Sequence, residues 1–321
     1  TMILVKDNIE DVKTTLDCYN CQILTNITDP VELNKTCPTN YCSGIKLIQK
    51  SEQFNVGPAI AITAQSYYEQ SLPETGRGEG SHLRWKSLNM TFPMCIVQDE
   101  KFTQIKSLAL VDCGLWGPIP TDISNLQLLE SLDLSKNKLT LIPESIEGLK
   151  NLVHMDLSDN EIKVIPDSIG NMAPLGYLGL NGNQINIIPD SLLNLYMLRY
   201  LLLNNNLIQE IPEFGESAYH RLFNFEISNN EIEVIPDSIK NCLNLNSLNL
   251  SNNKIKYIDP SVFNIPFLFS MDIRKNCFTD EYKATINDMV KSANITRAAQ
   301  HTPVGEIRVT MDEPGVSGVK C

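Results

Sequence analysis

Apolar residues recur along most of this chain with a step of 23 residues, stretched to 24 after two of the units. Each unit follows the pattern L-x-x-L-x-L-x-x-N-x-L, and most continue with x-x-I-P-x-x-I. A fixed period of this length predicts a stack of repeated units, in which each unit buries its apolar face only against its neighbours. The units open at Ile105, Leu129, Leu152, Leu175, Leu198, Leu222, Leu245 and Leu268.

The L-x-L segment of each unit predicts a short strand, because its side chains alternate between two faces. In the third unit, for example, Met155 and Leu157 would point into the stack. The strands of successive units would then pair in parallel, and the I-P-x-x-I segment would return the chain to the start of the next strand.

An asparagine interrupts the apolar pattern at one position of nearly every unit. A buried amide with no hydrogen-bond partner costs about 1–3 kcal/mol, so a recurring one needs a structural role. A side chain with two donors and an acceptor can satisfy backbone groups of adjacent units, which predicts a structural ladder. Its members are Asn137, Asn160, Asn183, Asn206, Asn230, Asn253 and Asn276, with Cys113 at the same position of the first unit.

The stretch from about Ile105 to Thr296 resembles the leucine-rich repeat proteins, on the evidence of these eight units in register. The resemblance implies an α/β fold, a right-handed solenoid or horseshoe with a parallel concave sheet. It also implies a non-enzymatic protein that binds a protein or peptide ligand on the concave strand face and needs no cofactor.

The period divides the chain into four predicted segments. Residues 1–104 form a cysteine-rich N-terminal cap, 105–278 the eight repeats, 279–296 a helical C-terminal cap, and 297–321 a tail. A cap is expected because the first unit would otherwise expose its core and an unpaired strand edge. Within the N-terminal segment, the stretch from Val56 to Leu72 predicts a helix that begins after Pro58.

Four clustered cysteines in the N-terminal segment have two interpretations. Their spacing fits two disulfides of a secreted cap, which we favour, and it also fits a tetrahedral zinc site. The cysteines are Cys18, Cys21, Cys37 and Cys42. Candidate N-glycosylation sequons, which require a secretory route, begin at Asn26, Asn34, Asn89 and Asn294.

The start of the repeats is similar to that of extracellular repeat proteins of plant type. The resemblance rests on Trp85 and Cys95 before the first strand, and on the ending Gly117-Pro118-Ile119-Pro120 of the first unit. It implies a secreted protein or a receptor ectodomain. The later x-x-I-P endings are also common in intracellular repeat proteins, so a cytoplasmic scaffold or adaptor in signalling is the alternative.

The net charge of −12 argues against nucleic acid as the main partner. No apolar run approaches the roughly 18–20 residues of a membrane span. No P-loop, dinucleotide fingerprint or metal-ligand spacing of histidines occurs. One constellation, Ser131 with His154 and Asp156, could be catalytic, but it has neither a pocket nor an oxyanion hole, so we expect no enzyme.

The exposed strand positions of the middle units combine aromatic and acidic residues. Tyrosine is a frequent hot-spot residue, and hot spots lie near interface centres. We therefore predict a partner-binding patch with an aromatic centre and an acidic rim. The predicted binding residues are His154, Asp156, Tyr177, Tyr200, Leu202, Asn224 and Glu226. The alternative is that these side chains only stabilise the sheet.

An acid follows the proline in five units and predicts the start of a short helical turn, whose N–H groups it would cap. A binding stripe of acidic side chains is the alternative. These acids are Glu144, Asp167, Asp190, Glu213 and Asp237. The fifth unit departs from the pattern, and Phe214, Tyr219 and His220 predict a small surface bulge there.

Overall fold

A computed structural model describes residues 59–63, 90–92, 94–98, 103–215, 221–300 and 305–313 of the chain. The chain divides into two compact units, Thr1–Asn160 and Glu161–Cys321. Both contain stacked coils of the predicted kind, so the α/β repeat fold expected from the period is confirmed.

In the first unit, four strands pair in parallel in the order β1 (Ala59–Thr63), β3 (Ser107–Val111), β5 (Ser131–Asp133) and β7 (His154–Asp156). A second parallel sheet contains β2 (Met90–Thr91), β4 (Leu115–Pro118) and β6 (Lys138–Leu141). A short helix, α1 (Met94–Gln98), precedes the first repeat.

In the second unit, six strands follow one another in parallel. They are β8 (Tyr177–Gly179), β9 (Tyr200–Leu202), β10 (Asn224–Glu226), β11 (Ser247–Asn249), β12 (Ser270–Asp272) and β13 (Arg308–Thr310). Helix α2 (Asp280–Gln300) lies between the last two strands in the sequence.

One coil of the second unit shows how the repeat folds. Leu178 and Leu180 of the strand segment are fully buried, and Ile185 and Ile188 cover the far side of the same core. A 3-10 helix then returns the chain, with Leu192 as its buried residue. Equivalent 3-10 helices span Thr121–Asn125, Glu144–Gly148, Asp167–Asn171, Asp190–Asn194, Asp237–Asn241 and Pro260–Asn264.

The turn after each strand depends on one residue in the left-handed region of backbone space. Only glycine, asparagine and aspartate adopt this conformation readily, and six of the eight positions carry one of them. The other two are lysines, Lys136 at φ 59° and Lys275 at φ 55°. The eight residues are Asp112, Lys136, Asp159, Gly182, Asn205, Asn229, Asn252 and Lys275, each immediately before the asparagine position.

The asparagine side chains lie inside the coils and connect each coil to the one before it. Asn206 is 6% exposed, and its Nδ2 donates to the carbonyl oxygens of Leu180 at 2.9 Å and Leu203 at 3.1 Å. Its Oδ1 accepts the backbone N–H of Ile185 at 3.0 Å. Side chains with the same contacts to carbonyls and N–H groups are Asn137, Asn160, Asn230, Asn253 and Asn276. Within the second unit, Asn183 accepts from Ile162 and donates to Leu180.

The predicted helix after Pro58 is wrong for the residues that the structure describes. Ala59–Thr63 form strand β1, in register with Ser107–Val111 of the first repeat. The alternation Ala-Ile-Ala-Ile-Thr has the period of a strand, and the neighbouring edge offers backbone partners. Sheet pairing therefore overrides the helical interpretation.

The C-terminal cap extends beyond its predicted end at residue 296. Helix α2 continues to Gln300, and strand β13 lies in the predicted tail and pairs with β12. Arg297 explains the longer helix: it is 3% exposed, and its guanidinium donates to the carbonyl oxygens of Leu268 at 2.8 Å and of Ile265.

Phe214 belongs to the core, so its assignment to a surface bulge is wrong. It is 3% exposed and packs edge-on against Phe225, with ring centroids 6.5 Å apart. The remaining part of the predicted bulge, Tyr219 and His220, lies outside the described residues.

We expect Asn206→Ala to lower the free energy of unfolding by about 2–4 kcal/mol, because the Ile185 N–H and the Leu180 carbonyl lose their buried partner. Urea unfolding of the full chain measures this loss. Asn186→Ala, at an exposed asparagine of the preceding coil next to Ile185, is the matched control and should change stability by no more than about 0.5 kcal/mol. Equal losses in the two variants would contradict the ladder.

We expect Gly170→Ala to destabilise the chain by about 1–3 kcal/mol through overpacking. An added Cβ would lie 2.2 Å from the carbonyl oxygen of Ser191, a backbone atom of the next coil. Gly215→Ala is the control, because no atom in the described part of the chain lies within 4 Å of a Cβ there. Thermal melts that move equally for both variants would show that the coils are not packed this closely.

Candidate partner-binding face

The outward side chains of the strands form what we call the strand face. In β8, β9 and β10 the central residues Leu178, Leu201 and Phe225 are buried, and the residues on either side point the other way. This alternation places the predicted residues Tyr177, Tyr200, Leu202, Asn224 and Glu226 on the strand face of the second unit.

An aromatic row crosses the strand face of the second unit. Tyr177 and Tyr200 are register partners on adjacent strands, and their ring centroids are 6.2 Å apart. Phe223, immediately before β10, extends the row with its ring 6.2 Å from that of Tyr200. The exposed fractions are 37% for Tyr200 and 39% for Phe223, so both rings have surface available to a partner.

Phe223 was not among the predicted binding residues. It occupies the second position of its unit, one residue before the strand, where the alternation of a strand does not yet fix the direction of a side chain. The sequence did offer one signal for Phe223: it is a large apolar residue at a position that the repeat pattern leaves variable.

The other predicted residues of this unit border the aromatic row. Leu202 lies in register with Gly179 on one side and Glu226 on the other. Glu226 accepts a hydrogen bond of 2.8 Å from the Nδ2 of Asn249 on β11. The carboxylate is therefore held beside the row by a neighbouring strand.

His154 and Asp156 lie on β7, in the first unit, with their side chains also on the strand side. Burial lowers the pKa of His154, against the opposing effect of Asp156 and Asp133, so the imidazole favours its neutral form. The Oδ1 of Asp156 accepts the backbone N–H of Ser158 at 2.9 Å. This acid therefore stabilises the turn after its own strand, a role that the sequence prediction did not assign to it.

Two segments match sequence models of a known family, each described as a leucine-rich repeat. The matched residues are 103–162 and 244–264. The chain contains leucine-rich repeats. No curated protein matches its sequence.

Several solved structures are similar in fold to this chain. An internalin from Listeria monocytogenes aligns with a TM-score of 0.54 and 22% identity, over 71% of this chain and 59% of the internalin. The leucine-rich repeat ectodomain of the plant membrane receptor kinase GASSHO1/SCHENGEN3 from Arabidopsis thaliana, in complex with CASPARIAN STRIP INTEGRITY FACTOR 2, aligns at 0.55 and 20%, over 83% of this chain and 36% of the receptor.

The plant peptide hormone receptor RGFR1, in complex with RGF2, aligns with a TM-score of 0.51 and 27% identity. The alignment covers 60% of this chain and 35% of the receptor. The chain thus spans between about a third and three fifths of the length of these three structures.

The short helical turns predicted after the prolines are present, and each begins with its acid while a proline holds the N-cap. These 3-10 helices begin at Glu144, Asp167, Asp190 and Asp237, so each acid lies in the first turn. In the second unit, Asp167 accepts the hydroxyl of Ser191 in the next coil at 3.2 Å. Glu213 likewise accepts the hydroxyl of Ser238.

The structure brings only two residues of the possible catalytic constellation next to each other. Ser131 and His154 are register partners on β5 and β7, but the carboxylate of Asp156 is turned to the N–H of Ser158. Within the described ranges, no group of three or more histidine, cysteine, aspartate or glutamate side chains could hold a metal ion. None of the described helices has the length and apolarity of a membrane span.

The predictions for the N-terminal segment concern residues that are not described. Cys18, Cys21, Cys37, Cys42, Asn26, Asn34 and Asn89 all lie outside the described ranges. The fourth sequon, at Asn294, lies in α2, where its Oδ1 accepts the N–H of Ile307 at 2.8 Å and its Nδ2 donates to the Ile307 carbonyl at 3.4 Å. Its glycosylation stays a prediction.

Proposed function

We propose that this leucine-rich repeat protein is a non-enzymatic recognition module that binds a protein or peptide on the strand face of its second unit. The observation that carries the proposal is the row of Tyr177, Tyr200 and Phe223, with successive rings 6.2 Å apart. Aromatic side chains offer a large contact area and lose little conformational entropy on binding.

The border of the aromatic row suggests the chemistry of the partner. Leu202 adds apolar surface at the next outward position of β9, and the carboxylate of Glu226 lies on the strand beside it. A segment with apolar side chains and a basic or hydrogen-bond-donating group would complement this arrangement. The chain's net charge of −12 would favour the approach of a basic partner.

Two of the structural relatives support a peptide or protein ligand. The solved structures of RGFR1 and of the GASSHO1/SCHENGEN3 ectodomain are complexes, with RGF2 and with CASPARIAN STRIP INTEGRITY FACTOR 2 respectively. We extend only the class of partner, a polypeptide, to this chain.

We further propose an extracellular or cell-surface location. The description of one relative as the ectodomain of a membrane receptor kinase supports it, as do the predicted disulfides and sequons of the N-terminal segment. The alternative is a cytoplasmic scaffold in signalling, which the x-x-I-P endings of the later units favour.

The test is selection of ligands from a displayed random-peptide library on the immobilised full chain, followed by affinity measurements on variants. Tyr177→Ala combined with Tyr200→Ala should weaken the selected ligands at least about thirtyfold, because the loss of even one hot-spot aromatic residue costs about 2 kcal/mol or more. The thermal midpoint should stay within a few degrees of the parent, since the half-exposed rings are not part of the core.

Tyr196→Ala is the matched control, because Tyr196 is 54% exposed and lies outside the strands. The proposal predicts unchanged affinity in this variant. Ligands that bind the double variant as tightly as the parent, or that lose equal affinity in Tyr196→Ala, would refute binding at the aromatic row.

A further inference from the structure

A second surface of the second unit has a regular apolar pattern that the core does not use. The residue immediately before the isoleucine that leads into the 3-10 helix is apolar and exposed in four of five successive coils: Val164 is 58% exposed, Ile187 67%, Val234 71% and Tyr257 55%. The isoleucine is followed directly by proline except at Ile258, where Asp259 intervenes, and the ring of Tyr257 also lies 5.7 Å from that of Tyr282 on α2. Glu210 holds this position in the remaining coil and is also exposed. We call these five residues the apolar stripe.

The coils are held in register beside the apolar stripe. The N–H of Gln184 donates to the carbonyl of Ile162, and Leu207 donates to Ile185, each at 2.8 Å. The same contact recurs at 2.8 Å in the next coils, from Glu231 to Ile208 and from Lys254 to Ile232. Because these bonds lie within three residues of the stripe in every coil, its members follow one another at the spacing of the stacked coils.

The two flanks of the apolar stripe differ in charge. Four members of the stripe are each followed, three residues later in the sequence, by an exposed acidic residue. These acids are Asp167, Asp190, Glu213 and Asp237. On the preceding flank, Lys254 pairs with Glu231 at 3.2 Å and Lys256 with Glu233 at 3.7 Å. The flank that follows the stripe therefore carries a row of negative charge. On the preceding flank, positive and negative side chains form ion pairs.

The spacing of the stripe selects the form of the partner. Stacked coils repeat at about 4.8 Å, so four steps span about 19 Å. The apolar positions of an amphipathic helix recur about once per turn of 5.4 Å, which gives about 22 Å over four steps. Alternate residues of an extended chain recur at about 6.7 Å and would span about 27 Å, which fits the stripe poorly.

We propose that the apolar stripe binds an amphipathic helix of a partner protein, laid along the stack with a basic flank over the acidic row. Charge complementarity sets its pattern: apolar residues at the first two and last two contact turns, and a lysine or arginine at the central turn, opposite Glu210. This surface is separate from the aromatic row, so its function does not depend on strand-face binding.

The probe is a fluorescent synthetic helix of about six turns with leucines at the contact positions, lysine at the central one and lysines along one flank. A companion peptide has glutamate at the central position. Titration of the full chain, followed by anisotropy, should give saturable binding that is tighter for the lysine-centred peptide. Glu210→Lys should reverse this preference, which a merely nonspecific attraction between the acidic chain and a basic peptide would not do.

Ile187→Ser and Val234→Ser should each weaken the lysine-centred peptide at least about tenfold, because each removes an apolar contact with the helix. Ile295→Ser is the matched control: Ile295 is 72% exposed, on α2 and outside the stripe. The variant that combines Tyr177→Ala with Tyr200→Ala should bind the peptide with the affinity of the parent chain. This test and the test of the strand face can therefore fail independently.

Four results would overturn the proposal. The first three are the absence of saturable binding, equal loss of affinity in Ile187→Ser and Ile295→Ser, and loss of binding in the tyrosine double variant, which would place the peptide on the strand face. Association of the chain with zwitterionic vesicles that disappears in Ile187→Ser would assign the stripe to a membrane surface instead, and would also overturn it.

Discussion

The buried asparagine amide is the interaction on which the rest of this structure depends. After each strand the chain turns through a left-handed residue such as Asn205, and the turn leaves backbone groups facing the interior. The side chain of Asn206 satisfies a carbonyl of its own coil, and a carbonyl and an N–H of the coil before it. Apolar burial drives the coils together without direction, whereas the amide accepts only one register.

A fixed register converts repeats in the sequence into columns on the surface. Residues one period apart become neighbours, so the tyrosines at 177 and 200 stack although 23 positions separate them. The same register aligns Val164 with Ile187 on another side of the second unit. Because most interior positions hold leucine, isoleucine or asparagine, most differences between coils lie in these columns, and partner recognition can vary with little change to the core.

The sequence was most informative where one periodic pattern determines one contact. The leucines, the asparagine position and the short turns after the prolines all follow from period and polarity. The predictions failed where a contact came from outside the period. Ile60 and Ile62 lie in a strand because the edge of the first repeat is available for pairing. Phe214 is buried because Phe225 offers it an edge-to-face contact.

The candidate site was only partly predictable for the same reason. Tyr177 and Tyr200 could be found by counting positions in the repeat, but Phe223 joins them from a position whose direction the pattern leaves open. The acids after the prolines lie in the first turns as expected, but the hydroxyl that Asp167 accepts from the next coil was not predicted. The positions of these side chains therefore depend on contacts between coils, which local sequence preferences do not predict.

Hydrogen exchange of the backbone amides in the intact chain tests the central claim most directly. The amides of Ile185, Ile208 and Ile232 donate to the ladder asparagines. If the ladder holds the coils in register, these amides exchange only through cooperative unfolding and share the slowest rates in the second unit. Exchange of these three amides as fast as that of exposed loop amides would contradict the account, because the coils would then be held together by apolar burial alone.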